Sequence, residues 1–172
     1  VSAAGYPGVP SLDILDNIIP YVSGDEEKLE TETLRMLGSL ENERVVWLPA
    51  RTSASCNRVP VVDGHMVTVS VSLAAQPTLE QIRDAWQTFR GPDPVPKLPS
   101  APAQPVQYLP QHDRPQSRRD RQAGRGMATT VGRLRECPLL GYKFSTLSHN
   151  TIRGAAGCSI LNAELLAVSG YI

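Results

Sequence analysis

The sequence is poor in cysteine, and the three it has, Cys56, Cys137 and Cys158, form no CxxC pair. An odd, scattered set fits poorly with a secreted disulfide scaffold, so a reducing, cytoplasmic compartment is the expectation. No metal site is expected. Nor is there an apolar run of about 18 residues, and the N-terminus lacks a basic stretch leading into an apolar one. Neither a membrane span nor a signal peptide is therefore expected. Net charge is also missing, since seventeen Lys and Arg balance seventeen Asp and Glu. No global field argues for nucleic acid or an anionic membrane as the main partner. The chain lacks an initiating Met as well, and Val1 leads to the expectation of a processed, truncated or cleaved product.

What is present suits one domain with a real core, because 172 residues are too few for two ordinary ones. Charge is sorted by region. Residues 25–43 carry seven carboxylates against Lys28 and Arg35, whereas residues 114–135 carry seven arginines against Asp120. The opening "VSAAGYPGVPSLDILDNIIPYVSG" reads as loop, a short helical turn near Leu12 to Asp16, then extended "IIPYV". From Asp25 to Leu37 there is no Gly or Pro, and Leu29, Thr33, Met36 and Leu37 form one stripe, so the pattern predicts a helix ended by Gly38. Residues 51–57 read as extended. Residues 65–73 alternate, with His65, Val67, Val69, Val71 and Leu73 on one face, which predicts a half-buried strand. Thr78 caps a second amphipathic helix with a Leu79, Ile82, Trp86 and Phe89 stripe. Eight of the fifteen prolines fall between Pro92 and Pro115, favouring extended, polyproline-like backbone. "MATTVGRLR" and "YKFSTLS" read as two further strands. The last stretch, "NTIRGAAGCSILNAELLAV", reads as a helix entered through small residues that permit close approach of another group.

Several side chains invite a chemical reading. Arg58 and His65 flank a Pro, two Val and an Asp63-Gly64 turn dipeptide. Fully extended, their seven-residue separation spans roughly 23 Å with the two side chains on opposite faces. A bend at Asp63-Gly64 could bring guanidinium and imidazole to one pocket, as a carboxylate fork and a proton acceptor. The plainer alternative is an exposed Arg and a capping or core His beside a hairpin. Lys28, in the first turn of its helix, could hold a phosphate at the helix N-terminus, or lie on a solvated charged face. Cys56 lies near both residues in sequence, yet a small buried thiol is the commoner role for such a position. Cys158, close to a helix start, is likewise read as a packing residue. "HDRPQSRRDRQAGRGM" has no interleaved aromatics, and a charged loop is favoured over a nucleic-acid surface.

Six collinear stretches then carry a resemblance: "GYPGVPSLDILDNIIPYVSGDEEK", "CNRVPVVDGH", "LPSAP", "DRPQSRRDR", "GMATTVGRLRE" and "LSHNTIRGAAGCSILNAELL". In this order they resemble the C-terminal catalytic and dimerisation portion of the fungal and archaeal aspartate-β-semialdehyde dehydrogenases. The resemblance implies a plan like that of glyceraldehyde-3-phosphate dehydrogenase: a cysteine thiolate attacks an aldehyde, hydride passes to NADP, and phosphate as co-substrate releases an acyl phosphate. In biosynthesis the reaction runs in reverse, from aspartyl phosphate toward threonine, methionine, isoleucine and, where made, lysine. It further implies that Arg58 grips the substrate carboxylate, that His65 is the general base beside the thiol, and that Lys28 binds phosphate. Asp25 falls where the family usually has a substrate-contacting Glu, one methylene longer. Asn150, Gly154, Ala155 and Gly157 fall on the segment near the nicotinamide. Ser117, Arg119 and Cys158 depart from the residues usual in the family.

The family's Gly-rich nucleotide-binding start, its Ser-Asn-Cys nucleophile motif and a glutamine belong upstream of these stretches, and none is in this sequence. The chain is therefore expected to hold the acid/base and substrate side of an enzyme while lacking the thiol and most of the NADP site. The fold implied is α+β, a mainly antiparallel or mixed sheet with helices on one face, like the C-terminal domain of glyceraldehyde-3-phosphate dehydrogenase. The other sheet face would be free for a homodimer or a dimer of dimers. Residues 1–151 would form the substrate-binding and dimerisation domain, and residues 152–172 a helix that packs on the absent nucleotide domain. Two alternatives stand beside this reading: a noncatalytic dimerisation fragment, and an acyl-CoA reductase of the malonyl-CoA reductase type.

Overall fold

Helix formation near the N-terminus follows from one stretch free of Gly and Pro, bracketed by Gly24 and Gly38. The computed structural model describes residues 10–172, and the loop expected over the first nine residues lies outside them. The described residues divide into two units, 10–60 and Val61–Ile172. In the first, α1 (Ser11–Ile14) is the expected short turn and α2 (Asp25–Met36) the expected helix. Leu37 caps α2 through backbone bonds to Arg35 and Thr33. Gly38 is required there, because a Cβ would run into the Val46 carbonyl. That carbonyl belongs to a hairpin the sequence reading did not anticipate, β1 (Ser39–Glu41) paired with β2 (Arg44–Val46). Its two turn residues, Asn42 and Glu43, both have positive φ, 48° and 62°, as a tight hairpin turn demands.

The expected apolar stripe of α2 is not what docks the helix. Leu29, Met36 and Leu37 are all exposed, Met36 by 74%. Instead Glu26 and Glu30, one turn apart, accept the backbone N–H groups of Cys56 (2.7 Å) and Ala54 (2.8 Å). An irregular segment has no ladder for its amides, and the two carboxylates supply the acceptors.

In the second unit, alternation of β-branched and polar residues produces β3 (His65–Val71). It is followed by α3 (Leu79–Thr88), opened by the expected Thr78 cap, which with Gln81 forms a full capping box. β4 (Val106–Leu109), α4 (Ser117–Asp120), β5 (Thr129–Cys137), β6 (Gly141–Ser148) and α5 (Gly157–Val168) complete it. A π-helical turn, Ile152–Ala156, leads into α5. The sheet order is β3-β6-β5-β4, antiparallel except for the parallel β4–β5 pair. β4 lies inside the proline-rich span that reads as irregular. Pro105 and Pro110 bound it, and its place at the sheet edge is where flanking prolines are tolerated.

Strand register assigns the faces. Val69, Phe144, Thr146, Val131 and Tyr108 share one face, and α3 covers it: Trp86 stacks near Tyr108 (6.2 Å) and meets Phe144 edge-on (5.1 Å). The opposite face, expected to be bare, is covered at one end by residues 114–126. A Cβ at Gly132 would strike the Arg114 carbonyl, and one at Gly64 would press on Leu147, Arg121 and Ser117. Met66, Thr68 and Ser70 on the same face remain exposed. A separate cluster of Leu98, Met127 and Leu161, flanked by Ile152 and Leu165, packs α5 into this unit.

Residues 114–126 are fixed by Asp120, only 6% exposed. Its carboxylate is held by both arms of the Arg114 guanidinium, one at 2.7 Å, and by the Gln116 N–H at 2.6 Å. The Arg114 hydrogen bond holds the Asp120 carboxyl below its ordinary range, helped by Gln116 and opposed by burial. A carboxyl depressed in the folded state contributes stability above its unfolded pKa and loses it as pH falls through the folded value. Asp120→Asn is therefore expected to lower unfolding free energy by about 2 kcal/mol at neutral pH. It should also flatten the loss of stability on acidification. Denaturant unfolding of both proteins between neutral and acid pH checks this, and parallel curves would contradict it.

Candidate active site

Segment 54–58 of the first unit is held both by side chains of α2 and by a strand-like bridge. Arg58 and Ile19 exchange both backbone hydrogen bonds, at 2.9 and 3.1 Å, as a single antiparallel bridge. Two residues earlier, Cys56 is tied to Glu26 on the first turn of α2. The geometry thus brings Arg58, half-buried, into the neighbourhood of the helix start that carries Asp25 and Lys28. Lys28 is exposed and Asp25 half-buried, and Gly24, with φ of 75°, turns the chain into the helix. An exposed ammonium, a half-buried guanidinium and a helix N-terminus together suit an anion with two charged ends.

Cys56 does not fit a nucleophile's role. Burial pushes its thiol up from the ordinary value, and the charges of Asp25 and Glu26 push it further. A thiol raised in this way stays protonated at neutral pH, as the packing role expected from sequence requires.

The second unit holds His65, Asn150, Gly154, Ala155 and Gly157. His65 is the first residue of β3, exposed, and opposite Ser148. The turn before it is held by Asn150, whose Oδ1 accepts the Gly64 N–H at 2.8 Å. Gly64 has φ of +106°, a conformation open to glycine and closed to most side chains. His65 and Asn150 are therefore brought together. Gly154 and Ala155 lie exposed on the π-helical turn, while Gly157 faces inward, where a Cβ would collide with the Met127 sulfur. The close approach implied by the small residues is, at Gly157, an approach to Met127 and Ile152.

Sequence reasoning missed His149. It is 3% exposed, and its Nδ1 accepts the Ile152 N–H (3.4 Å) beside Thr151 Oγ1 (3.2 Å), capping the π-helical turn. Its Nε2 lies 3.4 Å from the Gln122 side-chain amide nitrogen. Only its place among polar loop residues was visible beforehand, and that carries no sign of burial.

Cys137 cannot serve His65. Backbone N–H groups of Leu140 and Leu139 lower its thiol from the ordinary value. Yet it pairs with Gly141, seven residues along β6 from the Ser148 that faces His65, roughly 23 Å at the rise of a strand. Cys158 is half-buried in the first turn of α5. Two open clefts, of about 320 Å³ beside Glu80, Arg83 and Tyr108 and about 940 Å³ at the β5–β6 turn, include none of the expected site residues. Among the described residues no group of three His, Cys, Asp or Glu is placed to hold a metal, and no helix is long and apolar enough to cross a membrane.

Comparison with known proteins decides the lineage of this arrangement. Residues 1–153 match the family model described as semialdehyde dehydrogenase, dimerisation domain. The chain belongs to that family. The aspartate-semialdehyde dehydrogenase of Methanothermobacter thermautotrophicus is 49% identical over 96% of this chain and 48% of its own length. That of Aspergillus fumigatus is 44% identical over the whole of this chain and 50% of its own. A crystal structure of the Candida albicans aspartate-semialdehyde dehydrogenase with NADP superposes with a TM-score of 0.87 at 45% identity, covering 96% of this chain and 48% of that one. The resemblance to the archaeal and fungal enzymes and the α+β fold read from it both hold. The chain spans about half the length of the curated relatives it matches.

The state of Cys56 is open to test. Iodoacetamide should modify it slowly at neutral pH compared with a free thiol. Asp25→Asn, which removes a nearby negative charge, should raise the rate roughly two- to fivefold. An unchanged rate in the variant would show that Asp25 does not govern this thiol.

Proposed function

We propose that this semialdehyde dehydrogenase-family chain supplies the acid/base and substrate-binding side of an aspartate-semialdehyde dehydrogenase. The reaction is the NADP-dependent interconversion of aspartate-β-semialdehyde and aspartyl phosphate, feeding aspartate-family amino-acid synthesis. The observation that supports this most is a match at more than 40% identity, over nearly the whole chain, to enzymes of that name.

The resemblance supplies the roles, and side-chain chemistry is compatible with each. Arg58 receives the substrate's α-carboxylate, because a guanidinium offers two parallel N–H donors to two oxygens. Lys28 neutralises phosphate as a mobile point charge beside the α2 N-terminus. Asp25 contacts the substrate with a shorter reach than the Glu usual in the family. His65 takes the proton from the attacking thiol and returns one as the intermediate breaks down, a role open to an exposed imidazole. The resemblance implies that the thiol comes from outside this chain, and neither Cys56, held protonated, nor Cys137, at the wrong end of the sheet, supplies it.

NADP supplies the hydride acceptor or donor. The residues fit it to a limited extent: Asn150 beside the Gly64 turn and the exposed, small-residue surface of Gly154 and Ala155 suit the edge of a flat ring, and Gly157 lets that turn lie close on Met127. Its phosphates would be held elsewhere. Ile160 and Leu166, away from the packed Leu161 and Leu165, leave α5 with exposed apolar residues suited to packing on a nucleotide-binding domain. On this reading the chain alone is inactive and forms a homodimer through the uncovered end of the sheet face, around Met66, Thr68 and Ser70. The family's description as a dimerisation domain, with a span of half the relatives' length, also favours a second reading, a dimerising module without catalysis. A dimer that shows no phosphate-dependent NADP reduction even when joined to a competent nucleotide-binding half would select it.

Two variants test the assignments in a protein carrying both halves. His65→Ala should lower kcat by roughly 10²- to 10⁴-fold with little change in thermal midpoint, and unaltered turnover would remove the base role. Arg58→Lys should raise KM for the semialdehyde by about tenfold, because the fork is lost. An unchanged KM would make Arg58 structural.

A further inference from the structure

Asp63-Gly64 is a dipeptide whose peptide plane is easily turned over, since glycine accepts backbone angles on either side of the plot. The plane between these two residues carries one acceptor, the Asp63 carbonyl, and one donor, the Gly64 N–H. Side chains engage both. Arg121 Nη1 donates to the Asp63 carbonyl at 3.4 Å, and Asn150 Oδ1 accepts from the Gly64 N–H at 2.8 Å. The two come from different places, Arg121 directly after the buried Asp120 and Asn150 from the turn after β6. A flip of this plane would break both bonds at once and point a carbonyl at Asn150 Oδ1.

We propose that Arg121 and Asn150 are positioning residues that lock the Asp63–Gly64 peptide plane and thereby fix the direction in which His65 leaves the strand. The proposal rests on the reading of His65 as the general base. His65 is the first ladder residue, opposite Ser148, so a loosened plane before it would let this end of β3 fray and widen the directions open to the imidazole, only some of which reach a given thiol. Arg121 is itself made rigid by its neighbour, because Asp120 is held by Arg114 and the Gln116 N–H. Catalytic geometry at His65 is thus tied, through one peptide unit, to a buried ion pair outside the substrate-contacting set.

The test reads the lock and its consequence separately. Amide hydrogen exchange at Gly64, followed by NMR in this chain, should quicken roughly tenfold in Asn150→Ala and in Arg121→Ala. Asn150→Asp, which keeps an acceptor oxygen, should retain most of the protection. Because Asn150 is also placed near the nucleotide, the kinetic arm uses Arg121. In a protein carrying both halves, Arg121→Ala should lower kcat about tenfold with KM for the semialdehyde within about twofold, and Arg121→Lys should recover most of both kcat and Gly64 protection. Unchanged Gly64 exchange in both alanine variants would overturn the lock. Faster exchange with unaltered kcat would overturn its bearing on His65. Intact turnover in His65→Ala would instead remove the base role, and the catalytic purpose of the lock with it, while Gly64 exchange still reported whether the plane is held. Should Arg121→Ala fail to fold, the Asn150→Ala and Asn150→Asp pair still decides the lock, and Arg121→Lys still decides kcat.

Discussion

The buried carboxylate of Asp120 is the constraint on which the second unit's site depends. Burying a charge is costly unless its partners are near and well directed, and Arg114 and the Gln116 N–H meet that condition. Satisfying Asp120 draws residues 114–121 into one conformation under the sheet, where the Arg114 carbonyl lies over Gly132 and Ser117 lies under Gly64. Arg121 then meets the Asp63 carbonyl as a consequence of where Asp120 must be. The arginine-rich stretch that invites a nucleic-acid reading is thus, at two of its arginines, internal scaffolding.

Much of the fold was legible because it rests on local rules. The Gly- and Pro-free stretch from Asp25, the Thr78 cap and the alternation after His65 each specify an element by themselves, and each element formed within a residue or two of its expected bounds. What was not legible depends on distant partners. β4 needs β5 to be a strand at all, and four residues between prolines carry no period of their own. The apolar stripe of α2 misled because its carboxylates, not its leucines, take up the backbone of residues 54–56. The cover over part of the second sheet face followed from Gly132 and Gly64, whose missing side chains show only as absences in a sequence.

The candidate site divides in the same way. Residue types and their order pointed to Arg58, His65 and Lys28, and the resemblance gave them roles, because the chemistry of a fork, a base and a point charge is written in the side chains themselves. The buried polar residues of the second unit carry no such mark. His149 and Asp120 are ordinary polar residues until burial is known, and Asn150 was marked for the nucleotide although its visible bond is to Gly64. The thiols complete the pattern. Cys56 is kept protonated by burial and neighbouring carboxylates, and Cys137 is separated from His65 by the length of a strand. On the proposed function the nucleophile arrives from another domain, and neither of these two thiols has to serve.

Division of the reaction between this chain and a nucleotide-binding half is tested most directly by one measurement. Phosphate-dependent NADP reduction with aspartate-β-semialdehyde would be followed for this chain alone, and for the same chain joined to a nucleotide-binding half that carries the reactive cysteine. The account predicts no activity from the chain alone and turnover from the joined protein. Turnover by the chain alone, or a folded joined protein with none, would contradict it.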